Sequence, residues 1–264
     1  MAAHRKSMSP KVDNCDWLKA GAITMVVVGH IGYFFIDDGA WWSVFGRMAA
    51  PVFFFLMGYA RSRRIPFKWI FLGAALTLLD SWNNDWDWMP LNILFSLALI
   101  RLVRPYVLDV MQRYGWVSLV VITAVLVALL PAAGEAFDYG AEGWLWALFG
   151  LCQRMYVDGD AAEGRSAPDW KRMRWLIWPI TVLVYTWQEQ LEFRFSDVQL
   201  ATVTLSIIAL STCLFLFVRG PSRIQPPDRF AYPLQFLGRH TLEIYVFQLA
   251  GSEIIINVFP KIAA

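Results

Sequence analysis

Residues 17–64 read WLKAGAITMVVVGHIGYFFIDDGAWWSVFGRMAAPVFFFLMGYARSRR, and this stretch decides the fold. Two apolar segments run through it and are joined by a short acidic turn at residues 36–40. The first segment contains His30 and the second contains Arg47. An ionisable side chain inside a membrane span is costly, and such residues commonly mark functional sites. The stretch therefore predicts a transmembrane helical hairpin that carries a functional histidine and arginine.

The composition of the whole chain favours a membrane protein. Hydrophobic residues make up 58% of the 264 residues, charged residues only 17%, and the mean hydropathy is +0.46. Soluble domains contain less apolar and more charged sequence than this. The N-terminus is polar and lacks the apolar core of a cleavable signal peptide. The three cysteines form no paired or metal-binding pattern, so we expect free thiols.

We expect an all-α, polytopic bundle of about nine transmembrane spans, because each span needs roughly 20 apolar residues. The third, fourth, sixth and seventh segments are short, so a count of eight is also open. The whole of residues 1–264 forms one transmembrane domain in this interpretation, with cytoplasmic segments at 1–16 and 158–174. The predicted spans are 18–36, 41–59, 67–80, 89–102, 116–131, 143–157, 175–187, 199–218 and 242–259.

The charge of the predicted loops alternates along the chain. One set of loops holds most of the 23 Lys and Arg residues, and the other set is mainly acidic. Loops rich in Lys and Arg remain on the cytoplasmic side of a membrane. The N-terminus is therefore predicted to be cytoplasmic, and the tryptophan-rich segment 80–88 is predicted to lie outside. That segment is either an interfacial anchor or a lid over a substrate.

His30 and Arg47 are predicted to lie at similar depths in the outer half of the membrane. At 1.5 Å per residue, His30 lies about 18 Å from the inner end of its span, and Arg47 about 9 Å from the outer end of the next. The two side chains can therefore form one site. The alternative is a purely structural arrangement, in which Arg47 reaches Asp37 or Asp38 and His30 contacts a backbone carbonyl.

Three further features lie on the same helix faces. Lys19 lies on the face of His30, which suggests a polar path from the cytoplasmic rim. Pro51 has no N–H for the carbonyl of Arg47, so that carbonyl is expected to be free at a kink. A polar stripe in the last span forms either helix–helix hydrogen bonds or a channel lining; its members are Thr241, Tyr245, Gln248 and Ser252.

Four stretches, taken in order, resemble the TraX family of integral-membrane pilin N-acetyltransferases, which are similar to the broader membrane acyltransferases. They are MVVVGHIGYFF, GRMAAPVFFFLMGYARSRR, PLNILFSLAL and LEIYVFQLAG. The chain departs from the family pattern at three positions. Gly29 replaces the acidic residue before the histidine, Ala50 replaces a phenylalanine, and Gln248 stands where the family often has a histidine. Either a different acidic residue orients His30, or the activity is changed or lost.

The resemblance implies a multi-pass protein of the bacterial inner membrane that transfers an acetyl group from cytoplasmic acetyl-CoA to a pilin-like amine or another envelope acceptor. His30 is then the base, Arg47 or Asn92 stabilises the oxyanion, and Tyr245 and Gln248 contact substrate. The donor phosphates would lie near a set of basic residues, namely Arg61, Arg63, Arg64 and Arg239. No metal and no nucleic-acid partner are expected, and membrane lipids surround the bundle.

The rival interpretation is a non-enzymatic accessory subunit of a larger membrane complex, derived from such an enzyme. A transporter is a third possibility, and it predicts an internal repeat that the sequence does not show. A cavity that leads from the cytoplasmic end to His30 distinguishes these classes. An enzyme requires such a cavity for the donor, whereas a scaffold predicts packed side chains there.

Overall fold

The computed structural model describes residues 11–36, 40–83, 86–159 and 168–258. Within these ranges the only β-structure is two isolated bridges, so the prediction of an all-α fold is confirmed. The helices, in chain order, are α1 (Asn14–Phe35), α2 (Ala40–Gly46), α3 (Ala49–Tyr59), α4 (Phe67–Asn83), α5 (Ile93–Tyr114), α6 (Trp116–Ala128), α7 (Leu130–Ala136), α8 (Gly140–Asp158), α9 (Trp170–Phe193), α10 (Asp197–Phe215), α11 (Asp228–Arg239) and α12 (Thr241–Val258).

Two of these helices, α1 and α10, are long and apolar enough to cross a membrane by length and composition. The pair α6 and α7, which is bent by 64°, can form a third span. These apolar helices support membrane association of the chain. Each of the nine predicted spans overlaps at least one helix. Apart from α1, α10 and the bent pair α6 and α7, however, the described helices are not both long and apolar enough to count as spans.

The second predicted span, 41–59, is not one helix. It divides into α2 and α3 at Arg47 and Met48, whereas the sequence predicted a kink caused by Pro51. Pro51 lies in the first turn of α3, where backbone N–H groups have no partner within the helix. A proline is therefore tolerated there, and the break precedes it.

Three other boundaries differ from the prediction. Helix α5 begins only at Ile93, because the side chain of Asn92 caps its N-terminus and ends the extended segment before it. Helix α9 begins at Trp170, so the last part of the predicted loop 158–174 is helical. Helix α11 was not predicted as a separate element. Residues 1–10 and 160–167, which belong to the two predicted cytoplasmic segments, lie outside the described residues.

Helix α8 is the centre of the bundle. Most of its residues are buried, and it packs most extensively against α3 and α9. Glycines allow the close approach to α3. A Cβ atom added to Gly58 would collide with the backbone of Ala147, and one added to Gly150 would collide with the carbonyl of Phe55. Small residues at a helix crossing permit this contact, as in membrane helix pairs.

One end of the bundle gathers the segments that the sequence predicted to be basic. Arg61, just after α3, forms a salt bridge of 2.7 Å with Asp158 at the end of α8. Phe217, just after α10, packs edge-to-face against Tyr59 of α3 with 5.1 Å between ring centroids. Its carbonyl accepts a hydrogen bond from Gln153 of α8. The C-terminal ends of α3, α8 and α10 therefore lie together. The three cysteines are free thiols, as predicted.

Candidate active site

The crossing of α1 and α2 is made by glycines and decides where the two ionisable residues lie. A Cβ atom on Gly29 would lie only 2.6 Å from the Cα atom of Gly46, so the two backbones are in direct contact. His30 and Arg47 follow these glycines directly in the sequence. The crossing therefore brings the histidine and the arginine to the same region, and both line one cavity.

This cavity has a volume of about 550 Å³ and is lined by residues of α1 to α5, α9 and α12. Lys19 and Arg101 line one part of it, and His30 and Asn92 line another. Lys19 and His30 are eleven residues apart on α1, which corresponds to roughly 16 Å along the helix. Residues of the basic end of the bundle and the histidine therefore line the same cavity.

His30 is held by α12 rather than by a carboxylate. Its Nδ1 atom lies 2.7 Å from Oε1 of Gln248. An amide oxygen only accepts hydrogen bonds, so Nδ1 is the donor in this bond and carries the ring proton. Nε2 is then the ring nitrogen that can accept a proton. The amide nitrogen of Gln248 donates to Oγ of Ser252 at 3.3 Å, which fixes the glutamine in turn.

Asn92 and Tyr245 form a second polar pair in the cavity wall. Oδ1 of Asn92 accepts from the backbone N–H of Leu94 at 3.0 Å, which caps α5. The amide nitrogen of Asn92 donates to the hydroxyl of Tyr245 at 3.1 Å. This bond uses the tyrosine oxygen as acceptor and leaves the hydroxyl proton to donate. The ring of Tyr245 lies 6.1 Å from the ring of His30, centroid to centroid.

Arg47 is held by residues of α9 and of the turn before α8. Its Nε atom lies 3.5 Å from the carboxylate of Glu189, and Nη1 donates to the hydroxyl of Tyr139 at 3.0 Å. Its guanidinium also stacks over Phe193 at 4.1 Å. The carbonyl of Arg47 accepts a hydrogen bond of 2.6 Å from Tyr185. The rest of the protein therefore supplies partners for both the carbonyl and the side chain of Arg47.

Sequence reasoning missed these partners. It offered Asp37 or Asp38 as carboxylates for Arg47, but both lie outside the described residues. Glu189 and Tyr185 are one helical turn apart and therefore share a face of α9. This spacing could have indicated that both residues face Arg47. The predicted seventh span ended at residue 187, however, and so excluded Glu189. Glu189 is nevertheless almost fully buried, with 1% of its side chain exposed.

The four arginines proposed for the donor phosphates do not form one cluster. Arg61 and Arg63 line a second pocket at the basic end of the bundle. Arg64 is exposed beside them but is not part of that pocket lining. Arg239 lies elsewhere, at the end of α11, where it contacts the carboxylate of Asp16 at 3.4 Å.

A comparison with known families gives one match. The model of the family described as TraX protein matches residues 14–234. The chain belongs to the TraX family. Membership fits a conjugation-associated membrane protein. The match includes His30, Arg47 and Asn92 but ends before α12, so Tyr245 and Gln248 lie outside it. No curated protein and no solved structure matches the chain.

Two departures from the family pattern have a structural reason. At Gly29 the α1–α2 crossing leaves no room for a side chain, so the family's acidic residue cannot be accommodated in this packing. Gln248, where the resemblance led us to expect a histidine, accepts the Nδ1 proton of His30. The glutamine thus performs the orienting task that an acidic neighbour of His30 would otherwise perform.

Proposed function

We propose that this protein is a membrane-embedded acyltransferase that moves an acetyl group from cytoplasmic acetyl-CoA to an amine or hydroxyl at the outer side. The supporting observation is the cavity of about 550 Å³ that Lys19, Arg101 and His30 line together. A scaffold needs no such cavity at a hydrogen-bonded histidine. A pilin N-terminal amine is the acceptor that the family resemblance suggests, and another envelope nucleophile would meet the same chemistry.

The chain crosses the bacterial inner membrane about nine times in this proposal, with the N-terminus in the cytoplasm. The basic end of the bundle is then cytoplasmic. Single cysteines at Lys171 and Asp87, which are both exposed, test this orientation in a cysteine-free background. An impermeant maleimide applied to intact inner-membrane vesicles of known sidedness should label position 87 only from the periplasmic side. Labelling of position 171 from that side contradicts the proposed topology.

The proposed reaction is a single acyl transfer in the cavity. Nε2 of His30 accepts the proton of the attacking amine or hydroxyl while that group bonds to the thioester carbon. The hydroxyl of Tyr245 and the guanidinium of Arg47 donate to the oxyanion that develops on the carbonyl oxygen. The C–S bond then breaks, and the acetyl group stays on the acceptor. The CoA thiolate takes the proton from His30, which restores the starting state.

Each other polar residue has a supporting role in this scheme. Gln248 holds the tautomer of His30 that presents Nε2 as the base. Asn92 holds the hydroxyl of Tyr245, so its effect on the oxyanion is indirect. Glu189 balances the charge of Arg47 while the substrate is absent. The protein groups that act on the substrate are therefore His30, Tyr245 and Arg47.

Transfer by the purified protein in lipid nanodiscs tests this proposal. Wild-type protein with labelled acetyl-CoA and an amine-bearing acceptor should release CoA and label the acceptor. His30→Gln should reduce the rate by about 10²–10⁴-fold, because it removes the base. His240→Gln is the matched control, since His240 is exposed at the bend between α11 and α12. Equal rates for wild-type protein and His30→Gln would contradict the proposal.

A further inference from the structure

Two buried glutamates lie on neighbouring helices, at the end of the bundle opposite the basic end. Glu142 lies in the first turn of α8, and Glu189 lies near the C-terminal end of α9. Glu142 is 9% exposed and Glu189 is 1% exposed. Neither residue lines the cavity of the proposed reaction. Glutamates are seldom fully buried unless they are paired, so the environment of these two requires an explanation.

Contacts between α8 and α9 fix which residues of these two helices face each other. The C-terminal end of α8 meets the N-terminal end of α9, where the guanidinium of Arg174 lies 3.7 Å from the ring centroid of Tyr156. The helices are therefore antiparallel. Further along, the rings of Trp146 and Tyr185 lie 5.8 Å apart, centroid to centroid. The positions one turn beyond these two aromatic residues are therefore also opposite each other, and the two buried glutamates occupy them.

The two glutamates share one neighbouring arginine. Nε of Arg47 lies 3.5 Å from Oε2 of Glu189. The charge that acts most strongly on Glu142 is that of Glu189, ahead of those of Glu192 and Arg47. One guanidinium balances one carboxylate, so a second ionised carboxylate here would be a buried charge without compensation, next to a like charge. Burial and like charge both favour the neutral form of one of the two carboxyl groups.

The other titratable groups around this pair are engaged elsewhere or exposed. The hydroxyl of Tyr139 accepts from Arg47, and that of Tyr185 donates to the carbonyl of Arg47. The carboxylate of Asp138 accepts from the backbone N–H of Ile93 at 3.2 Å. Helix α6 has no titratable residue, and those of α3 and α5 lie nearer the basic end. The remaining charges of α7 and α9 at this end are exposed and solvated; they are Glu135, Glu192 and Arg194.

Two buried oxygen atoms of this pair lack a hydrogen-bond partner among the residues that the structure describes. They are Oε2 of Glu142 and Oε2 of Glu189. The contact of 3.5 Å between Arg47 and Glu189 is longer than an ordinary N–H···O bond of about 2.7–3.2 Å. An ionised carboxylate can only accept hydrogen bonds, whereas a protonated carboxyl group can also donate one. A single proton on Glu142 therefore provides a donor for the buried oxygen of Glu189.

We propose that Glu142 and Glu189 form a proton-binding site, in which Glu142 carries a proton at neutral pH and Glu189 remains ionised beside Arg47. The three side chains are then neutral as a group, and Glu142 donates a hydrogen bond across the α8–α9 contact. The site goes beyond the proposed function, because it holds its proton whether or not acetyl transfer occurs. The proton keeps Glu189 as the single buried counterion of Arg47, which lines the cavity.

Infrared spectroscopy of the full-length protein in nanodiscs at neutral pH tests the site without acetyl transfer. The wild type should show the carbonyl band of a protonated carboxylic acid, and Glu142→Gln should remove this band. Glu189→Gln should remove it as well, because Glu142 then ionises as the counterion of Arg47. Glu135→Gln is the matched control and should keep the band, since Glu135 is an exposed glutamate of α7.

Three results of this measurement overturn the proposal. Absence of the band from the wild type shows that no proton is held. A band that persists in Glu189→Gln shows that Glu142 is neutral through burial alone and shares nothing with Glu189. Loss of the wild-type band when potassium is replaced by sodium assigns the site to a metal cation instead of a proton.

The dependence of stability on pH provides an independent measurement. The folded protein holds a proton that the unfolded chain releases near the ordinary glutamate pKa of about 4.3. The equilibrium constant for unfolding should therefore rise by up to about tenfold per pH unit above that value, until the folded protein also releases the proton. The Tm of the wild type and of Glu135→Gln should fall between about pH 5 and pH 8, and that of Glu142→Gln should fall less. An equal fall in all three proteins overturns the site.

Discussion

The contact between Gly29 and Gly46 makes a sharp prediction about packing and catalysis. In Gly29→Ala the new Cβ atom would lie 2.6 Å from the Cα atom of Gly46, whereas ordinary Cβ contacts lie at 3.4–4 Å. The two backbones must therefore separate by about 1 Å. Overpacking of this kind costs about 1–3 kcal/mol of folding free energy. The neighbour is backbone, so no side-chain rotation can relieve the contact.

The same displacement should affect the reaction more strongly than the fold. His30 and Arg47 follow the two glycines, so separation of α1 from α2 moves the base away from the oxyanion donor. A misplacement of about 1 Å can cost about 10²-fold in rate. We therefore expect Gly29→Ala to lower the transfer rate by about two orders of magnitude. Gly29→Asp should be worse, even though it restores the family residue.

Gly21→Ala on the same helix is the matched control. A Cβ atom at Gly21 meets nothing within 4 Å, so the substitution should be neutral or slightly stabilising. Thermal unfolding in detergent and transfer rates in nanodiscs should be measured for both variants and the wild type. Each kcal/mol corresponds to about 2–4 °C in Tm for a chain of roughly this size. If Gly29→Ala matches Gly21→Ala in both Tm and rate, the described crossing is wrong.

Two further changes test the hydrogen bonds of the site. Gln248→Leu should lower the transfer rate at least tenfold, because the Nδ1 proton of His30 loses its acceptor. Two control variants should stay active: Gln248→Glu should keep the transfer rate, and Ser252→Ala should change it little. If the rate of Gln248→Leu equals the rates of these controls, Gln248 does not orient His30. Tyr185→Phe should destabilise the protein by about 1–3 kcal/mol, because a buried carbonyl loses its donor. An unchanged Tm for this variant would show that the carbonyl has another partner.

The positions of the long helices could be predicted from hydropathy, because apolar segments of sufficient length form helices in a membrane. The need of the Arg47 carbonyl for a donor from outside its own helix could also be predicted, since a proline four residues later removes the usual donor. The break at Arg47 and Met48 could not. At the break, the carbonyl of Arg47 accepts a hydrogen bond from Tyr185, which lies on a helix more than a hundred residues later in the chain.

The partners of the site residues depend on tertiary contacts in the same way. Nothing local in the sequence pairs Arg47 with Glu189 or His30 with Gln248. From the sequence, Gly29 left two possibilities open: another acidic residue orients His30, or the activity is changed or lost. The structure shows that Gly29 is needed for the α1–α2 contact. The close α1–α2 crossing could have been predicted from Gly29, Gly32 and Gly46, since small residues permit close helix crossings in membranes.

Helix α11 shows a third limit of sequence reasoning. The segment is too polar for a span, and its Asp228 and Arg229 suggest a loop. Phe230, Tyr232 and Phe236 are exposed on this helix, whereas Gln235 and Gly238 are buried. Gly238 lies against the backbone of Asp16, so α11 is fixed by the start of α1 rather than by its own hydropathy.

The central claim is that His30 catalyses acetyl transfer from one side of the membrane to the other. Proteoliposomes of uniform orientation, with labelled acetyl-CoA at the basic end and an amine acceptor confined to the opposite side, test it most directly. We predict labelled acceptor across the bilayer with wild-type protein and loss of this product in His30→Gln, with His240→Gln unchanged. Label that forms only when donor and acceptor share one side, or that persists in His30→Gln, would contradict the account.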